Sequence, residues 1–414
     1  MTLPTPSGQA PAPNRFERQP VIAGIVIAVL IVCLADLIAG SVIYLREQQR
    51  LVRRGLETER SYRRHHPTYH HDLRPNARVD SALWGGRFYR VRTNSLGFKD
   101  ASQRAVSTAS RSPRVLLIGD SFTEGVGVEF DSTFAGHLAA QAAPAGIELL
   151  NAGVASYSPL IYWRKTEELL EGRGLRFDEM ILLLDISDIQ DEANYYLDEA
   201  GHVQSCQPSE NEVSEDSGAS SMARRLKDFA RTHSFGLYRA MSVVKHVLRP
   251  PLPVVPGCRP PSGRGEVICK ACWTTDPATM GVYGTVGIAR ARDHMSRLAA
   301  LLRTKRIPLT VVVYPWPHQL ARNDRRSLQS SIWRGWAAEE GVRFVDLFPA
   351  FFAAVDSSSV AKVTGRYFMP GDVHWNERGG AFAEQQFLRE YCRAAPIDTN
   401  RTRTALSPLC AARH

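Results

Sequence analysis

Short apolar runs and amphipathic stretches alternate through the last three quarters of the chain. "RVLLIG" (114–119), "IELLNAG" (147–153), "EMILLLDI" (179–186), "LTVVVYP" (309–315) and "VRFVDLF" (342–348) are brief and bounded by turn residues or charges, the pattern of buried strands. Residues 132–143, 159–172, 286–305, 324–340 and 378–392 carry helical patterning between and after them. Strands alternating with helices predict a sheet covered on both faces. The expected architecture is α/β: a flavodoxin-like three-layer α/β/α sandwich around a mostly parallel five-stranded sheet spanning 113–395.

Several stretches break that rhythm. Residues 21–45, "VIAGIVIAVLIVCLADLIAGSVIYL", carry a single charge, Asp36. They are long enough to span a bilayer and longer than the ~7–15 apolar residues of a signal peptide, so the expectation is an uncleaved transmembrane anchor. Residues 1–20 are Pro-rich and polar, a disordered tail by composition. Residues 46–112 read as a juxtamembrane linker and lead-in, and 396–414 as a C-terminal tail. An insertion at about 197–284 holds an acidic, Ser-rich piece and "RPPLPVVPGCRPPSGRG", both poor material for a sheet.

The formal net charge of +9 admits an anionic partner. Many of the arginines flank the apolar segment or lie in the tails, and no basic stripe interleaves with aromatics, so nucleic acid is not an expected partner. Orientation draws on two opposed signals. Arg15 and Arg18 precede the span, whereas Arg46, Arg50, Arg53 and Arg54 follow it, which places the main domain in the cytoplasm by the positive-inside rule. Six cysteines beyond the anchor (Cys206, Cys258, Cys269, Cys272, Cys392 and Cys410) instead permit disulfides and an oxidising compartment. Cys269 and Cys272 form a C-x-x-C without a full zinc ligand set, and a structural disulfide involving Cys258, Cys269 or Cys272 is the preferred reading. His65, His66, His70 and His71 cluster in the lead-in, where a solvated linker is favoured over a metal site.

Candidate chemistry sits where strands end. Gly119-Asp120-Ser121 closes the first strand, and in open α/β sheets ligands bind beyond the carboxyl ends of strands. Gly-Asp-Ser alone is ordinary turn material. Asp372 and His374 follow the last strand, two residues apart before a helix, so the carboxylate can reach one imidazole nitrogen while the other faces a nucleophile. A serine hydroxyl needs such a base, and the base needs such a partner to fix its tautomer. Ser121 after the first strand and Asp-x-His after the last can meet at one end of one sheet.

These blocks resemble the SGNH hydrolase superfamily, the GDSL-type esterases and lipases, over about 114–190 and 285–392. Gly119-Asp120-Ser121-Phe122 is similar to the family's first block and Asp372-Val373-His374 to its last. The resemblance implies Ser121 as nucleophile, His374 as general base and Asp372 as its orienting partner, with no metal and no organic cofactor. Asn151-Ala152-Gly153 resembles the second block, which implies the backbone N–H groups of Gly153 and Ser121 as oxyanion donors. The third block departs: Asp185-Ile186-Ser187-Asp188 stands where Gly-x-Asn-Asp is usual, so Ser187 occupies the position of the side-chain donor. The implied function is a membrane-anchored serine esterase on the bacterial inner membrane with an extracytoplasmic catalytic domain. Its expected substrate is an ester, with O-acetyl groups on cell-surface saccharide as the candidate. A saccharide O-acyltransferase with the same triad and a non-catalytic tethered binding protein are the alternatives. Trp316 and Trp375 are the candidate substrate-binding residues, able to stack on a sugar ring, although packing is the commoner use of either. His318 is expected in a loop role.

Overall fold

A computed structural model describes residues 20–53, 59–206, 270–393 and 404–411. The larger of two compact units comprises Gly55–Glu215 and Val254–His414. The other contains the helix Pro20–Arg53, whose apolar stretch Val21–Ile43 has a mean hydropathy of 3.0 and is exposed over most of its length. By length and composition that stretch can cross a bilayer.

The larger unit begins with two antiparallel hairpins, β1 (Arg63–His66) with β2 (His70–Leu73) and β3 (Arg78–Trp84) with β4 (Arg87–Arg92). The central sheet is built from β5 (Arg114–Gly119), β6 (Glu148–Asn151), β7 (Glu179–Leu184) and, after a small hairpin of β8 (Tyr195–Leu197) and β9 (Val203–Ser205), β10 (Leu309–Val313) and β11 (Arg343–Asp346). Its spatial order is β6-β5-β7-β10-β11, and each neighbouring pair is parallel. The five predicted strands are therefore the five observed. β5, β7 and β10 are buried at every position, as near-continuous apolar runs in a doubly covered sheet require.

Helices Phe134–Ala142 and Glu377–Arg393 pack together, and Pro159–Glu167 packs with Thr285–Lys305, which also meets Leu328–Glu340. Chain order reverses between β5 and β7, the position where such sheets open a crevice. Gly119 is paired with Leu183 in that register, so the turns after β5 and β7 emerge side by side.

The lead-in differs from the expected linker. Residues 59–100 bury Tyr62, Tyr69, Leu73, Val79, Tyr89, Val91 and Phe98 against the sheet domain. Its charges are partnered across the domain: Lys165 on Pro159–Glu167 is fully buried and donates to Asp72 Oδ1 and the Ala152 carbonyl, each at 2.9 Å. Burial pulls the Lys165 amine down, while Asp72 beside it opposes the shift.

The expected tail differs as well. Leu406 is buried, its N–H donates to Glu179 Oε2 at 3.1 Å, and a disulfide joins Cys392 to Cys410. Cys206 and Cys272 are also disulfide-bonded, in line with the expected use of Cys272. Cys258, Cys269 and most of the expected insertion, including its acidic and Pro-rich pieces, lie outside the described residues. The described return of that insertion is packed in: Trp273 is buried and donates to the Ile186 carbonyl at 2.9 Å.

Candidate active site

The turn that carries Ser121 is built by local chemistry. After β5 the Asp120 side chain accepts the Phe122 N–H and caps a single helical turn, Ser121–Glu124. Gly125 then ends the turn in the left-handed region at φ +71°, a conformation that glycine adopts without Cβ strain. This accounts for an apolar run that stops at Gly-Asp-Ser with glycine close behind. Ser121 Oγ lies 2.7 Å from His374 Nε2 and 3.2 Å from Asp120 Oδ2. The hydroxyl has one proton, and the shorter contact is the one to the imidazole.

His374 reaches this point from the far end of the chain. Asn376 accepts the Gly379 N–H at the start of helix Glu377–Arg393, and its amide holds the Phe368 carbonyl at 3.1 Å. The intervening loop turns Asp372 back on His374: Asp372 Oδ1 lies 2.5 Å from His374 Nδ1 and accepts the His374 backbone N–H at 3.1 Å. Burial pushes the Asp372 carboxyl up, but the hydrogen bond and charge of His374 outweigh it and hold the group below its ordinary value. The pair requires a proton on Nδ1, leaving Nε2 as the acceptor that faces Ser121.

The expected oxyanion donors are placed less simply. Gly153 sits against the Ser121 turn, so close that a Cβ there would lie 2.6 Å from the Thr123 Cβ. Its N–H is turned to Asn151 Oδ1 at 3.2 Å, and the Asn151 amide donates to the Thr123 carbonyl at 2.8 Å. Ser187 leaves β7 beside the Ser121 turn, with its own N–H bonded to Asp185 Oδ1 at 2.7 Å.

Trp316 and Trp375 are both taken up in the aromatic core, the packing use that stands beside sugar stacking. Trp375 is buried, with ring centroids of Tyr314 at 4.7 Å and Phe122 at 5.0 Å and a further ring, Phe351, stacked at 6.4 Å. Trp316 is also buried, and its indole donates to Asp185 Oδ2 at 2.7 Å. Both had the right location in sequence, but the aromatic core takes up their surfaces. His318 lies on the short helix Pro317–Ala321 rather than in a loop, 3.4 Å from the sulfur of Cys272.

Asp120, Asp185 and Asp188 form a buried carboxylate cluster whose oxygens lie within 4.8 Å of one another. These are the described residues spaced to share a cation, although each carboxylate already accepts hydrogen bonds from the protein. Burial and then the charge of Asp185 raise Asp120, while burial and then the charge of Asp120 raise Asp188. Asp120 and Asp188 therefore favour holding protons at a pH where exposed carboxylates have lost them.

The lead-in supplies contacts that the linear reading missed. Arg63 makes a two-pronged pair with Glu124 at 2.9 and 3.0 Å, and Glu124 Oε2 accepts the Ala155 N–H at 2.8 Å. His71 Nε2 donates to the Ala155 carbonyl at 2.8 Å. Buried Lys99 donates to the Gly125 and Val128 carbonyls at 2.6 and 2.7 Å, and burial brings its amine down to about 8. The histidines of this segment belong to an ordered hairpin, a correction to the solvated linker. Burial above all lowers His71 to about 3 and His66 to about 4. Trp84 sits beside His374. One usable signal was present, since "ALWGGRFY" sets apolar and aromatic residues on both sides of Gly-Gly, a two-residue hairpin turn.

A cavity of about 10 Å³ opens beside Ser121 and His374, bordered by Phe122, Gly125, Val126 and Trp375. It has room for a group about the size of one water molecule or a methyl.

No protein-family model and no curated protein matches the chain. Among solved structures, an α/β hydrolase from the metagenome of Lake Arreo, Spain, is 14% identical with a TM-score of 0.36, over 68% of this chain and 95% of that one. A catalytic mutant of an acetylxylan esterase from Geobacillus stearothermophilus is 12% identical with a TM-score of 0.37, over 69% of this chain and 96% of its own. TesA is 12% identical with a TM-score of 0.36, over 72% and 99%. Likenesses of this size carry no argument about activity. The chemistry rests on the chain's own geometry: a serine, an imidazole and a carboxylate joined in series at the carboxyl edge of a parallel sheet.

Proposed function

We propose that the protein is a serine esterase of SGNH type that cleaves small acyl esters through an acyl-enzyme on Ser121. The observation that carries this reading is the chain Ser121–His374–Asp372, with contacts of 2.7 and 2.5 Å. Ser121 Oγ attacks the ester carbonyl while its proton passes to His374 Nε2, and Asp372 stabilises the imidazolium so formed. His374 returns that proton to the leaving alkoxide. In the second half, His374 takes a proton from water, which attacks the acyl-enzyme and releases the carboxylic acid and free Ser121. The N–H groups of Ser121 and Gly153 hold the oxyanion, with the Ser187 hydroxyl as third donor. The 3.2 Å bond from Gly153 to Asn151 is long, and a charged oxygen is the stronger acceptor. Acetyl is the acyl group of this reading, with an O-acetylated saccharide as the substrate class.

The reading is tested with a p-nitrophenyl ester series and a fluorophosphonate probe, with and without an acetylatable saccharide. Acetate is expected to exceed butyrate by at least about tenfold in kcat/KM, since a methylene that the acyl site does not accommodate costs roughly 1–3 kcal/mol. The probe is expected to label Ser121. Absence of both turnover and label would remove the esterase reading.

The reading includes a membrane anchor at residues 21–45 and an extracytoplasmic catalytic domain. The disulfides support that side, because such bonds persist in oxidising compartments. An alkaline phosphatase fused after His414 is expected to be active in a bacterial host and a fluorescent protein fused there to be dark. A fluorescent fusion with an inactive phosphatase would place the domain in the cytoplasm, as the arginine count does.

A further inference from the structure

The turn of the β3–β4 hairpin rests on the Asp372–His374 pair, yet the triad chemistry makes no use of it. Trp84 closes β3, and its indole Nε1 lies 3.4 Å from His374 Nδ1. The two rings meet edge to face at 86°, with centroids 5.3 Å apart. His374 Nδ1 has a single position in the ring plane, which is used by the proton shared with Asp372 at 2.5 Å. It cannot also accept the indole proton, so Trp84 acts on His374 through shape.

Gly85 follows at φ +55°, and a Cβ there would lie 2.8 Å from Asp372 Oδ2. The two oxygens of Asp372 are thereby divided. Oδ1 receives the ring and the backbone N–H of His374, while Oδ2 faces the hairpin backbone. On the other side of the indole, a Cβ at Gly127 would meet the Met369 sulfur at 2.8 Å and Trp84 Cδ1 at 3.4 Å. Trp84, itself half-buried, therefore lies against both Gly127 and the imidazole of His374. Arg87, opposite Trp84 across the hairpin, pairs with Glu377 at the start of the helix after His374.

We infer that Trp84 and Gly85 are positioning residues, forming a wall that holds the His374 ring on Ser121 and keeps water off the Asp372–His374 pair. The inference rests on the esterase reading. Its physical basis is that attraction between a carboxylate and an imidazolium strengthens as water leaves, and that a displacement of about 1 Å in a reacting group costs roughly 10²-fold. The imidazolium exists only during reaction, so the effect belongs in kcat.

The test uses full-length protein in detergent, with Trp84→Ala, Trp84→Phe and Gly85→Ala assayed on p-nitrophenyl acetate. Trp84→Ala is expected to lower kcat about 10–100-fold with KM changed less than about twofold. Trp84→Phe keeps an aromatic wall without the N–H, and is expected to recover most of the loss. Gly85→Ala is expected to lower kcat by forcing Asp372 Oδ2 to move. A wild-type kcat in Trp84→Ala, a loss confined to KM, or a phenylalanine variant as slow as the alanine one would each overturn the inference. Should the alanine variant fail to fold, as judged by circular dichroism, Trp84→Phe and Gly85→Ala decide between the same outcomes: near-wild-type kcat for the first with reduced kcat for the second supports the wall. Full activity in Ser121→Ala would instead remove the esterase reading, a result separable from any behaviour of Trp84.

Discussion

Alanine at position 121 is expected to lower kcat on p-nitrophenyl acetate by roughly 10⁴–10⁶-fold while leaving the fold intact. The Ser121 hydroxyl contacts His374 and Asp120, and its removal leaves the cap from Asp120 to Phe122 in place. His374→Ala is expected to cost about as much, because an alcohol without a base is a poor nucleophile at neutral pH. The double variant is expected to be little worse than either single one, since the two groups perform one proton transfer. Steady-state constants for the three proteins measure this. Losses that multiply would mean that His374 does something other than serve Ser121, and the triad assignment would go.

Asparagine at position 372 is expected to reduce kcat by ~10⁴-fold with little change in KM. The Asp372 carboxyl is held below its ordinary value by His374 despite partial burial, so it is ionised throughout the neutral range. An amide at the same place can turn its NH₂ toward Nδ1, which then has to accept, and the proton moves to Nε2. The nitrogen that faces Ser121 at 2.7 Å would become a donor and could no longer take the serine proton. The charge that stabilises the imidazolium would be lost as well. Comparison of Asp372→Asn with Asp372→Ala separates the two contributions: an asparagine variant more active than the alanine one would argue against the tautomer effect.

Much of the architecture was legible from local pattern. The strands lie where short apolar runs stop at turn residues, and their burial on both faces follows from the lack of polar alternation. Ser121 and the Asp372–His374 pair were legible for a related reason. Ser121 directly follows β5, and Asp372 and His374 come after β11 by way of two helices, Phe348–Asp356 and Val360–Tyr367; the carboxyl ends of parallel strands lie along one edge. The hairpin of Trp84 and Gly85 had a legible turn but no legible destination.

What the chain alone determined is thus what depends on near neighbours: hydrophobic period, turn residues, helix caps and the length of the apolar helix. What tertiary structure decided is which distant group meets which. Arg63, His71 and Lys99 read as solvated residues of a linker because charge and imidazole favour water until a partner is supplied. Glu124, the Ala155 carbonyl and the carbonyls of Gly125 and Val128 supply those partners from segments 26 to 84 residues away in sequence. Trp316 and Trp375 took the opposite course, appearing able to bind a sugar until other rings and Asp185 occupied them. The tail was held by a disulfide and a buried leucine rather than by any local pattern. Burial and pairing are properties of the folded whole, since a side chain's cost of leaving water depends on what the rest of the chain brings to it.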